Sequence, residues 1–323
     1  MYLKLKGYND NMAIKPQSDK RFSFYEIDVN GYKTIGILAL YSPGEQSSVR
    51  LLGHEAVNVS HALALRRSLT QCANTLPPCM VIADIDFSVL DWQSQCTLVK
   101  TWYEPRVGGV GKSRHSVYDI NNEQLQYRLK NTLSQQRQFL IADGHHRVFA
   151  ANLPGKRKVT LPVWITSNSQ TWVESFTLQV QLSAPVNVAY IDQHFSQYGM
   201  TRTVNNAASH YMLHINGRSY SYCLNEKEID SGKQSIYQSG SLKVQRVIRN
   251  AIAALPHVLC SQPTKMCDIE SSELFFYIDI QAPLVSDIFK AAQQGEYFPE
   301  KSTYFIHKPV SHAMLERITA DCV

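Results

Sequence analysis

Two Asn-Gly dipeptides constrain this chain more than any other feature, because each one separates a pair of alternating, β-prone runs. Asn30-Gly31 lies inside FSFYEIDVNGYKTIGILALYS, and Asn216-Gly217 lies inside YMLHINGRSYSYCL. Asn-Gly is the preferred occupant of the two-residue type I′ turn, in which both residues need positive φ. The sequence therefore predicts two antiparallel hairpins, and these exclude a purely parallel, doubly wound sheet.

The remaining segments alternate between helix patterns and short apolar runs. This mixture predicts the α+β class, with a boundary near residue 170 between domains at 1–170 and 171–323. Helices are predicted within 53–74, 121–134 and 241–255, and in a segment that Gly295 ends; strands are predicted at 79–86, 139–142, 159–166, 176–182 and 274–280.

Composition limits the class of protein. A chain of 323 residues with 44% hydrophobic and 18% charged residues suits a globular protein of two domains. The net charge of +5 includes no basic run longer than 156–158, so a small anionic ligand explains it as well as nucleic acid does. Seven scattered cysteines without a C-x-x-C pair, no signal sequence and no membrane-length apolar run predict a soluble, cytoplasmic protein.

The segment VGGVGKS, at 107–113, resembles the tail of a phosphate-binding loop. The full pattern needs glycine where this chain has Arg106, and the partition-ATPase form needs lysine at Val107. Such a loop must also join a buried strand to a helix, whereas TWYEPR before it is polar and RHSVYDI after it is strand-like. We therefore interpret this segment, including Lys112, as a glycine loop without a phosphate role.

The segment IADGHHR has the context that VGGVGKS lacks. A buried strand ends at Asp143, Gly144 permits a tight turn, and a helix is predicted to begin at His145 or His146. Helix N-terminal N–H groups, two histidines and the guanidinium of Arg147 all suit phosphate oxygens. Asp143 can hold Mg²⁺ or cap the helix. The alternative is a capped helix with surface histidines.

A further acid follows an apolar segment at Gly53-His54-Glu55. We expect Glu55 at the start of a helix, where a carboxylate either interacts favourably with the helix dipole or serves a site.

Five segments occur in the order of a known family: GHE, RR in the next helix, TLPPCMVIADID, IADGHHRVFAA and GEYFPEKSTYF. From about Phe22 to about Leu315 the chain resembles an uncharacterised bacterial and archaeal family related to the free-serine kinases. IADGHHR and KSTYF are the specific parts, and Val148, Phe298 and Glu300 depart from the family pattern. The resemblance implies a ParB/sulfiredoxin-like mixed-sheet core and a C-terminal α+β domain that folds back on the site.

The resemblance also implies a reaction, in which ATP or ADP phosphorylates a free amino acid, first of all L-serine, to give O-phosphoserine. Glu55 would be the base and His54 a second catalytic residue beside it. The turn at 144–147 would hold nucleotide phosphates, and Mg²⁺ would bridge phosphates with Asp143. Phosphoryl transfer depends mainly on positioning and charge neutralisation, which these residue types supply. Possible further contacts to substrate or phosphate are Arg67, Lys301, Ser302 and Thr303.

Other interpretations remain open for parts of this pattern. The KSTYF segment can instead be a turn that anchors a C-terminal strand. The implied fold also serves ParB-like, nucleotide-dependent DNA-binding or regulatory proteins, although no dense basic patch is evident. Sulfiredoxin-type chemistry would need a cysteine in the turn, and none lies between Cys96 and Cys223. We expect a nucleotide and a small amino acid as partners, and neither nucleic acid nor membrane.

Overall fold

The chain divides into two compact units. A computed structural model describes residues 2–3, 12–16, 21–43, 49–72, 76–87, 90–106, 111–154, 159–204, 211–225, 240–264, 272–299 and 303–310. The first unit takes its described residues from Met1–Trp172 and Phe305–Val323, and the second unit is Val173–Tyr304. The first unit is therefore discontinuous, and it includes returning residues that the predicted boundary placed in the second domain.

The first unit contains a large mixed sheet and three described helices. Its strands are β1 (Tyr2–Leu3), β2 (Met12–Pro16), β3 (Ser23–Val29), β4 (Tyr32–Pro43), β5 (Arg50–Gly53), β6 (Val57–Asn58), β7 (Cys79–Ala83), β8 (Cys96–Pro105), β9 (Lys112–Ile120), β10 (Gln138–Asp143) and β11 (Leu161–Ser167). Its helices are α1 (Val59–Cys72), α2 (Glu123–Gln135) and α3 (His145–Asn152).

Nine of these strands form one sheet in the order β5-β10-β7-β11-β4-β3-β9-β8, with β2 paired to β4 beside that path. The pairs β5–β10 and β7–β11 are parallel, and the other neighbours are antiparallel. Strands β7 and β11 are buried along their whole length. Burial on both faces explains why these strands read as continuous apolar runs in the sequence.

Both predicted hairpins are confirmed. Strands β3 and β4 pair across Asn30 and Gly31, whose φ angles are 54° and 86°. In the second unit, the two strands around Asn216 and Gly217 pair in the same way, with φ angles of 50° and 71°. Positive φ at both turn positions is the geometry for which Asn-Gly is preferred.

The second unit is an antiparallel sheet with helices against one face. Its elements are β12 (Val173–Glu174), β13 (Phe176–Leu182), α4 (Val188–Ser196), β14 (Met200–Thr203), β15 (Tyr211–Ile215), β16 (Arg218–Leu224), α5 (Gly240–Ala254), β17 (Val258–Thr264), β18 (Phe275–Ile280) and α6 (Val285–Gln293). The last strand, β19 (Tyr304–Phe305), has one residue in each unit.

The six-stranded order is β14-β16-β15-β18-β13-β17, and Ile191, Phe195, Ile248 and Ile252 of two helices lie in the core of this sheet. The predicted α+β class is thereby confirmed, and no helix in the described part of the chain is long and apolar enough to cross a membrane.

The glycine loop near residue 110 connects two strands. The TWYEPR segment, interpreted as polar, belongs to the ten-residue strand β8 except for its last residue, Arg106, whose N–H donates to the Gly111 carbonyl oxygen at 2.9 Å. Strand β8 lies at the sheet edge with seven of its ten residues exposed, so it lacks the apolar alternation that marks a half-buried strand. Because Lys112 begins β9 and not a helix, the segment has no phosphate-binding-loop context, as the sequence predicted.

The close packing at Gly36 yields a stability prediction. The Trp164 indole N–H donates to the Tyr25 carbonyl oxygen at 3.1 Å, and a Cβ at Gly36 would collide with that indole and with the Ile165 carbonyl oxygen. Gly36→Ala should lower the free energy of unfolding by ~1–3 kcal/mol, measured by urea unfolding, because buried strands must separate. The control Gly31→Asn has open space and suffers only the strain of positive φ, which asparagine tolerates better than most residues, so it should lower the free energy of unfolding by less than Gly36→Ala does, by ~1 kcal/mol at most. Wild-type stability in Gly36→Ala would contradict the packing described.

Candidate active site

The predicted turn at IADGHHR is confirmed by the backbone. Strand β10 ends at Asp143, Gly144 has φ of 96°, and α3 begins at His145. A Cβ at residue 144 would lie 2.6 Å from the Cys79 sulfur, so close packing as well as the left-handed conformation requires glycine there. The first N–H groups of an α-helix have no partner within the helix, and here they lie just after the end of β10, because α3 begins directly after Gly144.

His145 faces the interior of the protein. It is buried, and its Nε2 atom accepts from the backbone N–H of His54 at 3.3 Å and lies 3.2 Å from His54 Nδ1. Burial lowers the pKa of His145 to about 4, because the charged form loses its water. The structure therefore gives His145 a bracing contact between α3 and the loop after β5, instead of the outward position expected for a phosphate donor.

His54 is the buried partner of this contact. Its Nδ1 atom lies 2.8 Å from the Ile141 carbonyl oxygen, which can only accept, so the Nδ1 atom carries the proton. The pKa of His54 is held well below its ordinary value, mainly by burial and to a smaller extent by the neighbouring His145. Both histidines are thus neutral near pH 7, and the Nε2 atom of His54 has no proton to donate.

Glu55 lies in the loop between β5 and β6, which corrects the prediction that it begins a helix. Helix α1 starts four residues later, after Asn58, whose side-chain oxygen accepts from the His61 N–H at 3.2 Å. Asn58 is a typical N-cap residue, so the sequence carried a signal for the true helix start. The Glu55 side chain is 17% exposed, and its Oε1 atom lies 3.9 Å from His54 Nε2.

His146 connects α3 to the start of α1. Its Nε2 atom accepts from the backbone N–H of Asn58 at 3.1 Å, and its ring meets the His61 ring edge to face at 4.9 Å between centroids. The His146 ring is partly exposed. The structure thus brings the GHE loop and the GHHR turn together through two histidine contacts, one from His145 and one from His146.

Asp143 is paired with two cations. Its Oδ2 atom lies 3.0 Å from Arg147 Nη2, and its Oδ1 atom lies 3.2 Å from Lys308 Nζ. Arg147 also donates to the Pro77 carbonyl oxygen, which fixes the guanidinium against the loop before β7. Although burial opposes ionisation, Lys308 and Arg147 hold the pKa of the Asp143 carboxyl below its ordinary value. The carboxylate is therefore ionised near pH 7.

Sequence reasoning missed Lys308. It follows the KSTYF segment by a few residues, in the part of the chain that returns to the first unit. The HKPV segment around this lysine contains no motif that would mark a functional residue. The only signal in the sequence is that the lysine lies close to the KSTYF segment. Lys301 and Ser302 lie outside the described residues, and Thr303 belongs to the second unit.

The other predicted contact residue is Arg67, which is exposed on α1. Its neighbour Arg66 is the one that reaches α3, since Arg66 Nη1 donates to the Ala151 carbonyl oxygen at 3.0 Å.

The residues around Asp143 suit an anion better than a cation. Each carboxylate oxygen already faces a positive side chain, and the described residues contain no group of three or more His, Cys, Asp or Glu that could hold a metal ion. Mg²⁺ at Asp143 would have to displace Lys308 or Arg147, or reach the carboxylate as the partner of a bound phosphate. The magnesium site stays a prediction.

Fold and site together define a two-unit α+β protein with a cation-lined turn at a helix N-terminus. The chain belongs to the family described as a protein of unknown function, DUF1015, whose family model matches residues 4–168. Its predicted membership of an uncharacterised family is thereby confirmed, whereas the ParB/sulfiredoxin-like fold stays a prediction. No curated protein matches the chain.

Solved structures resemble the chain distantly. SbnI from Staphylococcus aureus with a C-terminal truncation shares 12% identity, with 84% of this chain and 90% of that chain covered and a TM-score of 0.48. A conserved hypothetical protein from Pyrococcus furiosus shares 14% identity, with 82% and 93% covered and a TM-score of 0.38. A free serine kinase variant in complex with ADP shares 11%, with 82% and 90% covered and a TM-score of 0.41. Likenesses this distant carry no conclusion about function.

The neutral histidines predict a loss of stability in acid. Because the pKa of His145 is about 4 in the folded chain and near 6.5 in the unfolded chain, the unfolded chain binds the proton first as pH falls. This contribution is fully present above pH 6.5 and is lost between there and about pH 4, at ~1.4 kcal/mol per pH unit. His145→Gln should therefore flatten the dependence of unfolding free energy on pH, measured by urea unfolding. His115, whose pKa burial also lowers to about 4, should preserve part of the slope, and an unchanged slope would contradict the assignment.

Proposed function

We propose that this protein binds a nucleotide at the β10–α3 turn and transfers a phosphoryl group to a small acceptor oriented by Glu55. The observation that carries the proposal is the joining of the GHE loop to the cation-lined turn by His54 and His145. Phosphoryl transfer needs held phosphates and an oriented nucleophile at one place, and these two segments supply them.

The turn offers three kinds of phosphate contact. The N-terminus of α3 presents backbone N–H groups and the positive end of the helix dipole. Arg147 and Lys308 add two cations that a carboxylate already holds side by side, 3.0 and 3.2 Å from its oxygens. A phosphate group can replace the carboxylate as the partner of these cations.

Glu55 is the base in this proposal. Its neighbour His54 is neutral and its Nε2 atom lacks a proton, so the histidine does not cancel the charge of the carboxylate. An ionised carboxylate near the phosphate turn can orient an acceptor hydroxyl and accept its proton during transfer. The buried histidine then acts as a positioning residue, since it fixes the loop that carries Glu55.

The choice of substrates rests on the family resemblance of the motifs. It implies ATP or ADP as donor and a free amino acid, first of all L-serine, as acceptor. Mg²⁺ bound with the nucleotide would neutralise phosphate charge during transfer. A screen of the purified protein for nucleotide turnover with each free amino acid tests this choice. If the protein instead binds DNA without any amino acid present, and this binding weakens steeply with salt, the ParB-like regulator would be favoured.

Glu55→Gln should remove most phosphoryl transfer while nucleotide binding persists. Glutamine keeps the size of the side chain but cannot accept the proton, so the rate should fall on the order of 100- to 10,000-fold. Turnover assays with the acceptor found in the screen, together with calorimetric ADP binding, separate the two effects. Wild-type turnover in this variant would exclude Glu55 as the base.

Lys308→Met should weaken ADP binding about tenfold, equivalent to ~1.4 kcal/mol, because it removes one of the two cations at the turn. Lys308 is a cleaner target than Arg147, which also holds the Pro77 carbonyl oxygen. The matched control is Lys112→Met in the β8–β9 hairpin, which should leave the dissociation constant within about twofold. Titration calorimetry measures both variants. If Lys112→Met weakened ADP binding more than Lys308→Met, the phosphate site would lie at the glycine loop and not at the β10–α3 turn.

A further inference from the structure

Strand β8 forms the outer edge of the nine-stranded sheet. It is the last strand in the sheet order, and β9 is its neighbour on one side. No other strand in the described part of the chain pairs with it. Three large apolar side chains are exposed on this strand: Leu98 at 52%, Val99 at 51% and Tyr103 at 64%. A long edge strand with exposed apolar side chains is a template for pairing with another strand.

The register of β8 against β9 shows which peptide groups face outward. The Arg106 N–H donates to the Gly111 carbonyl oxygen, and Trp102 is opposite His115 in the same register. In an antiparallel pair, the N–H and C=O groups of one residue point to the same side, and the side alternates along the strand. Even-numbered residues from 102 to 106 therefore bond toward β9. Thr101 and Tyr103 present their N–H and C=O groups to the outer side.

We infer that β8 pairs antiparallel with β8 of a second copy of this chain, around a two-fold axis at Trp102. In this register Thr101 lies opposite Tyr103 of the second copy, and the symmetric pair repeats the contact. Each of these two pairs exchanges two hydrogen bonds, since both residues have outward-facing peptide groups. This inference is independent of the proposed phosphotransfer.

Charge selects this register over its neighbours. With the axis at Trp102, Lys100 of each copy lies opposite Glu104 of the other, which gives two pairs of opposite charge. Moving the axis to Tyr103 would instead place Lys100 opposite Arg106, so that like charges meet. Moving the axis to Thr101 would place Glu104 opposite the apolar Leu98. Of these three positions of the axis, only Trp102 places both Lys100 and Glu104 opposite a residue of opposite charge.

The same strand carries features that limit pairing to a short stretch. The ladder with β9 is irregular between Leu98 and Lys100, and Pro105 has no N–H to donate. A bulge, a lysine and a proline are also the devices by which edge strands avoid association. Here they leave the stretch at 100–104, which contains all four hydrogen bonds and both charge pairs. A short interface of this kind predicts a weak dimer, with a dissociation constant on the order of 10 µM.

Charge reversal tests the inference on the full-length chain. Sedimentation equilibrium should show a concentration-dependent dimer for the wild type. Lys100→Glu or Glu104→Lys alone should weaken it at least tenfold, because each places two like-charge pairs across the interface. The double variant Lys100→Glu/Glu104→Lys should restore dimerisation. An equimolar mixture of the two single variants should form a heterodimer, since every facing pair is then of opposite charge.

The controls distinguish this interface from general charge effects. Lys130→Glu, on the exposed surface of α2, should leave the dimer unchanged. A wild type that remains monomeric up to about 200 µM would overturn the inference, since the expected affinity is well within that range. A dimer that the single reversals do not weaken, or that the double variant fails to restore, would equally exclude pairing through β8 at this register.

Discussion

The pairing of Asp143 with Arg147 and Lys308 joins the three segments that build the candidate site. The carboxylate ends β10, the guanidinium belongs to the first turns of α3, and the ammonium belongs to the segment that returns after the second unit. Without the carboxylate, the guanidinium and the ammonium would be two neighbouring positive charges with no negative charge between them, so both pairings depend on Asp143. The geometry of the turn and the position of the returning segment thus depend on the same carboxylate.

The buried histidines extend this arrangement to Glu55. His54 and His145 are neutral because burial disfavours their charged forms, and in that state one ring can accept while the other donates. Protonation of His145 would place a hydrogen on the Nε2 atom that accepts from the His54 N–H, and would therefore remove this contact. The neutral histidines therefore hold the loop in position without cancelling the negative charge of Glu55, which its proposed role as the base requires. Because the same burial lowers the pKa values of these histidines, the free energy of unfolding should fall as the pH falls.

Sequence patterns predicted well those elements whose residue types are set by the local backbone conformation or by burial on both faces. Asn30-Gly31 and Asn216-Gly217 form hairpins because positive φ at two successive positions is a local requirement. The buried runs at β7, β10 and β11 are apolar because both faces of those strands are covered. Strand β8 was missed because an exposed edge imposes no apolar pattern, and the start of α1 was placed too early because the cap at Asn58 was overlooked.

At the candidate site, the sequence by itself determined the turn: a strand that ends in Asp143, a glycine with positive φ, and a helix that begins at His145. Each of these follows from residues adjacent in the chain. Only the tertiary structure decided that His145 faces inward onto His54, and that Lys308 pairs with Asp143 from 165 positions away. Such contacts depend on sheet order and on the return of the chain. No local pattern encodes them, because a side chain's partner is set by which elements pack together.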